Sequence, residues 1–197
     1  MEIKNSYTFT HKICLAWYLL RTKLICHQAR LIRFPFTING RKYIDLGKSL
    51  TTGVGCRLDA YSKDGNQTMF WGNNVQINDY VHICSMNKVK IGNNVLMASH
   101  IFISDNSHGS YKGDECDTSP DIVPMKRKYH ISSVEIGDNV WIGEHVVVMP
   151  GVRIGKGSVI GANSVVSRDI PDYTVAVGQP AIPIKKYDFT TEGWIKI

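Results

Sequence analysis

IGDNVWIGEHVVVMPGVRIGKGSVIGANSVVSRDIP, residues 136–171, divides into six units of six. Every unit begins with Ile or Val, the second residue is Gly in four of the six, and the fifth is Val, Ser or Ile. Six residues are too few for a helical repeat and too short for a hairpin, but they suit one short strand and one corner. The first-position aliphatic then points inward, and its neighbour must be small because two walls meet there. Asn139, Gly151, Gly157 and Asn163 fill fourth positions, and Asn and Gly tolerate the positive φ that a corner requires. Three units close one triangular coil, and stacked coils bury a continuous aliphatic core. A helix is excluded by the Gly and β-branched content and by Pro150. An ordinary sandwich would need hairpin turns and period-two alternation, which are absent.

The beat also runs upstream: IGNNVL, MASHIF, ISDNSH from Ile91, and WGNNVQ, INDYVH, ICSMNK from Trp71. A weaker version, LGKSLT, TGVGCR, LDAYSK, starts at Leu46. It stops at His108 and resumes at Ile136 after an inserted loop, residues 109–135. Loops this long in compact proteins are functional or disordered. Removing the loop lets the coils restack, so Ile136 is expected one coil above Ile91. His108 is expected at the corner where the chain departs, against the Trp141–Glu144 region of the next coil. Tyr111, Tyr129 and Lys126–Lys128 give the loop the aromatic and basic character of a lid over a glycan.

The remaining composition narrows the class. The formal net charge of +6 comes from residues 1–42, which hold eight Lys/Arg and one acid; the rest is close to neutral. With no basic face on the body, a nucleic-acid partner is not expected. Five cysteines, widely spaced and without CxxC, point to a reducing, cytoplasmic compartment rather than a secreted disulfide framework. The longest apolar run near the N-terminus, ICLAWYLL, is far short of a bilayer span.

The stretch VWIGEHVVVMPGVRIGKGSVIGANSVVSRDIPDYTVAVGQPAIPIKKY resembles the hexapeptide-repeat acyltransferases, in the branch of maltose, galactoside and polysaccharide O-acetyltransferases. RLIRFP, GVGCRLDA, NVQINDYVHI and SDNSHG are most similar to the enzymes that decorate lipopolysaccharide O-antigens. The resemblance covers residues 43–187. It implies an all-β fold, a left-handed parallel β-helix, with an N-terminal helical segment (1–42) and a C-terminal tail (188–197). It also implies a homotrimer with sites in clefts between chains, His108 facing the edge of Trp141 and Glu144 across such a cleft, and acetyl-CoA as donor.

Residue by residue, the resemblance makes His108 the general base toward a saccharide hydroxyl. It gives the backbone N–H of Glu144 to the thioester oxygen, and places Asn78 toward the acceptor. Trp141 and Gly143 lie beside the pantetheine arm, Ala162, Ser167 and Arg168 match the coenzyme groove, and Lys185 and Lys186 suit nucleotide phosphates. The family's acidic substrate contact has no counterpart at Ser85 and Met86. Zinc enzymes share this fold but need three converging histidines, and their closely spaced His pair is missing here, so no metal is expected. Alternatives are a small acceptor (a maltose- or galactoside-type sugar, serine or an antibiotic) and a non-catalytic β-helix binding protein.

Residues 11–33 place Ile13, Trp17, Leu20, Leu24 and Leu31 near one helical face, with Lys12, Arg21, Lys23, Arg30 and Arg33 supplying charge. Two readings stand. One is a helix packed on the base of the β-helix, capping its open strand edge. The other is a basic amphipathic helix on a membrane surface, at the inner face of the membrane.

Overall fold

The computed structural model describes residues 7–197; residues 1–6 of the N-terminal segment lie outside the described residues. The hexads build a three-faced parallel β-helix. Face 1 stacks the strands at 51–52, 76–77, 96–97, 141–142, 159–160 and 174–177. Face 2 stacks 36–39, 56–60, 82–85, 102–104, 147–148 and 165–166. Face 3 stacks 44–45, 69–71, 89–91, 134–136 and 153–154. The chain passes from face 1 to 2 to 3 and back, so each edge of the prism is a column of corners.

The hexad logic holds at the side chains. The first-position residues Ile136, Ile142, Val148, Ile154, Ile160 and Val166 are all buried, as are the fifth-position residues Val140, Val146, Val152, Ser158, Ser164 and Ile170. The second position must be small because the next coil lies on it: a Cβ on Gly155 would sit 2.3 Å from the backbone nitrogen of Asp172. Fourth positions have left-handed φ, at Asn74, Asn94, Asn139 and Asn163, but also at Tyr80, His100 and His145. Across the inserted loop the restacking is as expected, since Ile136 pairs with Ile91 and Val134 with Val89.

Both ends differ from expectation. The helix runs Phe9–Ile25 rather than through residue 33, and Leu31 lies beyond it in a bridge to Thr51. The open strand edge at the base is covered by the extended segment after the helix: Phe36–Asn39 pairs with Cys56–Asp59, and Cys26, Ala29 and Ile32 are buried. Extended backbone offers the N–H and C=O groups that a strand edge needs, which a helix cannot. At the other end, Ile182–Asp188 and Gly193–Lys196 form an antiparallel hairpin on Thr174–Val177, so the expected tail is structured. Ring packing of Phe189 on Tyr173 and Tyr187, and of Trp194 on Tyr187, fixes it.

Candidate active site

The edge between faces 2 and 3 carries the inserted loop, and Asp105 roots it. Its side chain is fully buried. The carboxylate accepts the N–H groups of Met86, Asn87 and Lys88 at 2.8 Å each, and the Ser85 hydroxyl at 3.2 Å. It thus caps the corner one coil below, at the positions where the resemblance lacked an acid. The Asp105 carbonyl accepts from Ser132 N–H at 2.8 Å, which ties the returning chain to the departing one. Between these ties the loop is not a bare excursion. Asn106–His108 pairs antiparallel with Tyr129–Ile131, a short 3-10 turn spans Pro124–Lys126, and the coil resumes at Val134.

His108 is therefore the last residue of an arm strand rather than a corner residue. Its side chain is exposed, and its ring lies 4.7 Å from that of Tyr129. The Tyr111 hydroxyl donates to the His108 carbonyl. Arg127 donates to the Tyr111 hydroxyl at 2.7 Å and to the carbonyls of Ile122 and Pro120. Arg127 thereby folds the arm back onto the backbone of His108. Among the described residues no hydrogen-bond partner engages either imidazole nitrogen.

A second cluster lies on the outer side of face 2. Asp59, buried, accepts from Asn39 at 2.6 Å, Arg57 at 2.7 Å and His82 at 3.0 Å, and His82 packs on Phe102. Burial pushes the Asp59 carboxyl up, but the bonds from Asn39 and His82 and the charge of Arg57 together outweigh it and hold it below the ordinary value. A depressed carboxylate contributes stability above its unfolded pKa and loses it as pH falls through the folded one. Asp59→Asn should therefore unfold at lower urea than wild type at neutral pH, with the gap closing as pH falls below the ordinary aspartate range. Urea midpoints measured across that range check this; a gap that persists in acid contradicts it.

The edge between faces 1 and 2 gathers Asn78, Gly143, Glu144 and Ala162 in one column. Asn78 N–H donates to Met97, and Gly143 fits only because a Cβ there would reach within 2.6 Å of Ala162 N. Among the described residues the Glu144 N–H has no acceptor, while its carbonyl takes Asn163 N–H at 2.8 Å. Rings of Tyr80, His100 and His145 stack along the same edge at 5.0 and 4.8 Å. Trp141, half exposed, lies on face 1 between Leu96 and Val159.

Ser167 and Arg168 sit elsewhere, just past the face 2 strand Val165–Val166 and on the edge that carries the arm. Lys185 and Lys186 pair with Val175 and Thr174 at the top of face 1. Among the described residues, no hydrogen bond or ring contact joins His108 to Trp141 or Glu144. Within one chain His108 and the Trp141–Glu144 turn do not meet; the expected meeting is across a cleft between chains. The loop leaves at one edge of face 2 and the Trp141–Glu144 turn lies at the other. A face of four or five residues keeps them roughly 15 Å apart. Among the described residues, no group of three or more His, Cys, Asp or Glu side chains is arranged to hold a metal.

Residues 133–168 match the family model described as "Bacterial transferase hexapeptide (six repeats)". Over 196 residues the chain is 44% identical to "Putative lipopolysaccharide biosynthesis O-acetyl transferase WbbJ" of Escherichia coli (strain K12), covering 100% of this chain and 98% of the relative. The chain belongs to the hexapeptide-repeat transferases. Among solved structures, a maltose O-acetyltransferase from Clostridium difficile 630 is 27% identical, with a TM-score of 0.57 and coverage of 92% and 90%. AntD, an N-acyltransferase from Bacillus cereus, superposes with a TM-score of 0.68 at 20% identity, over 95% of this chain and 94% of that one; it bears on the fold alone.

As a hexapeptide-repeat transferase the chain has the left-handed β-helix expected from its motifs, and the arm is its main elaboration. Sequence reasoning missed Asp105, the Asp59 cluster and the Arg127–Tyr111 clasp. Asp105 carries no distinguishing signal in ISDNSH, since INDYVH, IGDNVW and IGEHVV also hold an acid at the third position. Its partners, 17 to 20 residues back in the chain, become neighbours only once coils stack.

Proposed function

We propose that the protein is an acetyl-CoA-dependent O-acetyltransferase acting on a bacterial surface polysaccharide or its lipid-linked precursor, with the site formed between chains of a homotrimer. The acyl class and the saccharide acceptor are supported by the names of the relatives above. The trimer is supported by one observation: His108 and the unpartnered N–H of Glu144 lie at opposite edges of face 2. A ring of three chains brings the first edge of one copy against the second edge of the next. The donor and the free state of all five cysteines suit the cytoplasm, and a lipid-linked acceptor places the enzyme at the inner face of the membrane.

In this reading His108 takes the proton from an acceptor hydroxyl as that oxygen attacks the thioester carbonyl. The Glu144 N–H of the neighbouring copy donates to the oxyanion that forms. Collapse breaks the carbon–sulfur bond, and His108 returns its proton to the departing thiolate. Asn78 holds the acceptor. Trp141, Gly143, Ala162, Ser167, Arg168, Lys185 and Lys186 hold the donor from two chains. No acyl-enzyme is required, because His108 activates the acceptor directly.

Release of CoA thiol from acetyl-CoA, measured with polysaccharide, monosaccharide and antibiotic acceptors, tests the activity and ranks acceptors. Subunit mixing tests the shared site. His108→Ala and Glu144→Pro chains, each poorly active alone, should regain roughly a quarter of wild-type activity when co-assembled in equal amounts. A native mass other than about three times 22.1 kDa, or no recovery on mixing, would overturn the shared site.

A further inference from the structure

The helix Phe9–Ile25 is held to the body mainly along one side, with Lys23 also reaching the His27 and Ala29 carbonyls at 3.4 and 3.5 Å. Tyr18 donates to the Phe34 carbonyl at 3.1 Å, and the buried Thr22 hydroxyl accepts Ile32 N–H at 2.8 Å. Arg21 lies over the Phe34 ring at 3.8 Å. These contacts fix the rotation of the helix. At 3.6 residues per turn, Phe9, Ile13, Trp17, Leu20 and Leu24 fall in an arc of about 80° on the opposite side. They are 77%, 55%, 56%, 56% and 79% exposed. Rolling the helix to cover them would break the Thr22 and Tyr18 bonds.

We propose that this stripe docks the enzyme, in the plane of the surface, on an anionic lipid bilayer. Charge decides the occupant. Residues 7–42 carry Lys12, Arg21, Lys23, Arg30, Arg33, Arg41 and Lys42 and not one Asp or Glu. Lys12 and Lys23 border the stripe on one side and Arg21 on the other, by helical phase. Arg30 and Arg33 are bound to Thr51 and Thr52 in the strand region beside the helix, so positive charge and apolar stripe share the base of the prism. The acidic run of a second copy, Asp114, Glu115, Asp117 and Asp121, lies on its inserted loop and not on its base, and a soluble subunit contact here would show as a loss of native mass in the test below. Anionic headgroups over acyl chains match both features. No described helix is long and apolar enough to cross a membrane, which suits an interfacial pose. In the trimer, three stripes at one end would bind together and gain from multivalency. This deepens, and rests on, the membrane-face placement proposed above.

The test compares the full chain with a Trp17→Ser, Leu20→Ser, Leu24→Ser variant. Three measurements are made: co-sedimentation with vesicles, native mass, and CoA release with a soluble saccharide acceptor. Vesicles are phosphatidylcholine alone or mixed with phosphatidylglycerol, at low and high salt. Wild type should bind the mixed vesicles, with at least ~tenfold less bound on phosphatidylcholine alone, in high salt, or for the variant. Mass and CoA release should be unchanged. Equal binding by the variant, or no binding by wild type, overturns the inference. So does a variant that loses its native mass, which would make the stripe a subunit contact. Binding without CoA release in either protein leaves the inference standing and defeats the acetyltransferase reading instead.

Discussion

His108→Ala is expected to lower kcat/KM for acetyl transfer by about 10²- to 10⁴-fold, the usual worth of a positioned general base. The loss should fall on kcat, because the side chain is exposed and packs beside the Tyr129 ring, leaving the donor's proposed contacts intact. For the same reason the urea midpoint should stay where it is, separating chemistry from folding. His108→Asn keeps the approximate shape and polarity but not the basicity, and should be as slow as the alanine variant. Measuring kcat and KM for the best acceptor, with urea unfolding in parallel, checks both. Half or more of wild-type kcat in either variant would remove His108 from the reaction.

The repeat made most of the fold legible because it encodes one physical demand over and over. An inward aliphatic, a small neighbour and a left-handed corner are local requirements, so Ile142, Gly143 and His145 could each be placed from the residues around them. Phase also survives an insertion, which is why Ile136 could be set on Ile91 across the loop. What the repeat does not encode is contact between coils on the outside. Asp105, Asp59 and Arg127 look like ordinary solvated polar residues until stacking or folding back supplies their partners. The helix illustrates a different limit. Its periodicity marked an apolar stripe, but an apolar stripe reads the same whether the protein or something else covers it. Thr22 and Tyr18, unremarkable in sequence, decide which side faces inward. The repeat marks the edge where the chain leaves the coils, but it puts His108 at the corner itself, whereas the arm strand carries it three residues beyond the Asp105 anchor; that this edge lies opposite Glu144 on face 2 emerges only from counting strands around the prism.

Asp105→Ala should be the most damaging substitution outside the reacting groups. It strips acceptors from the N–H groups of Met86, Asn87 and Lys88 at the root of the arm, while the Ser85 hydroxyl keeps the Thr68 carbonyl at 2.6 Å. An unmet buried donor costs about 1–3 kcal/mol. Met86 and Lys88 are partly buried, while water can reach the exposed Asn87 side of the corner; a total loss of roughly 2–4 kcal/mol follows from the two donors left unmet. Catalysis should fall as well, by about 10²-fold in kcat, since a misplacement near 1 Å suffices for that and His108 is only three residues from the lost anchor. Asp105→Asn is the informative companion: its side chain can still accept from one side of the corner but turns an amide donor toward the other, so it should recover part of the stability and less of the rate. Urea midpoints, kcat, and the rate of tryptic cleavage at Lys126–Lys128 together separate a loosened arm from a globally unstable coil. A variant with the wild-type midpoint, cleavage rate and kcat would mean that Asp105 does not anchor the arm, and that the pairing of Asn106–His108 with Tyr129–Ile131 holds His108 in place by itself.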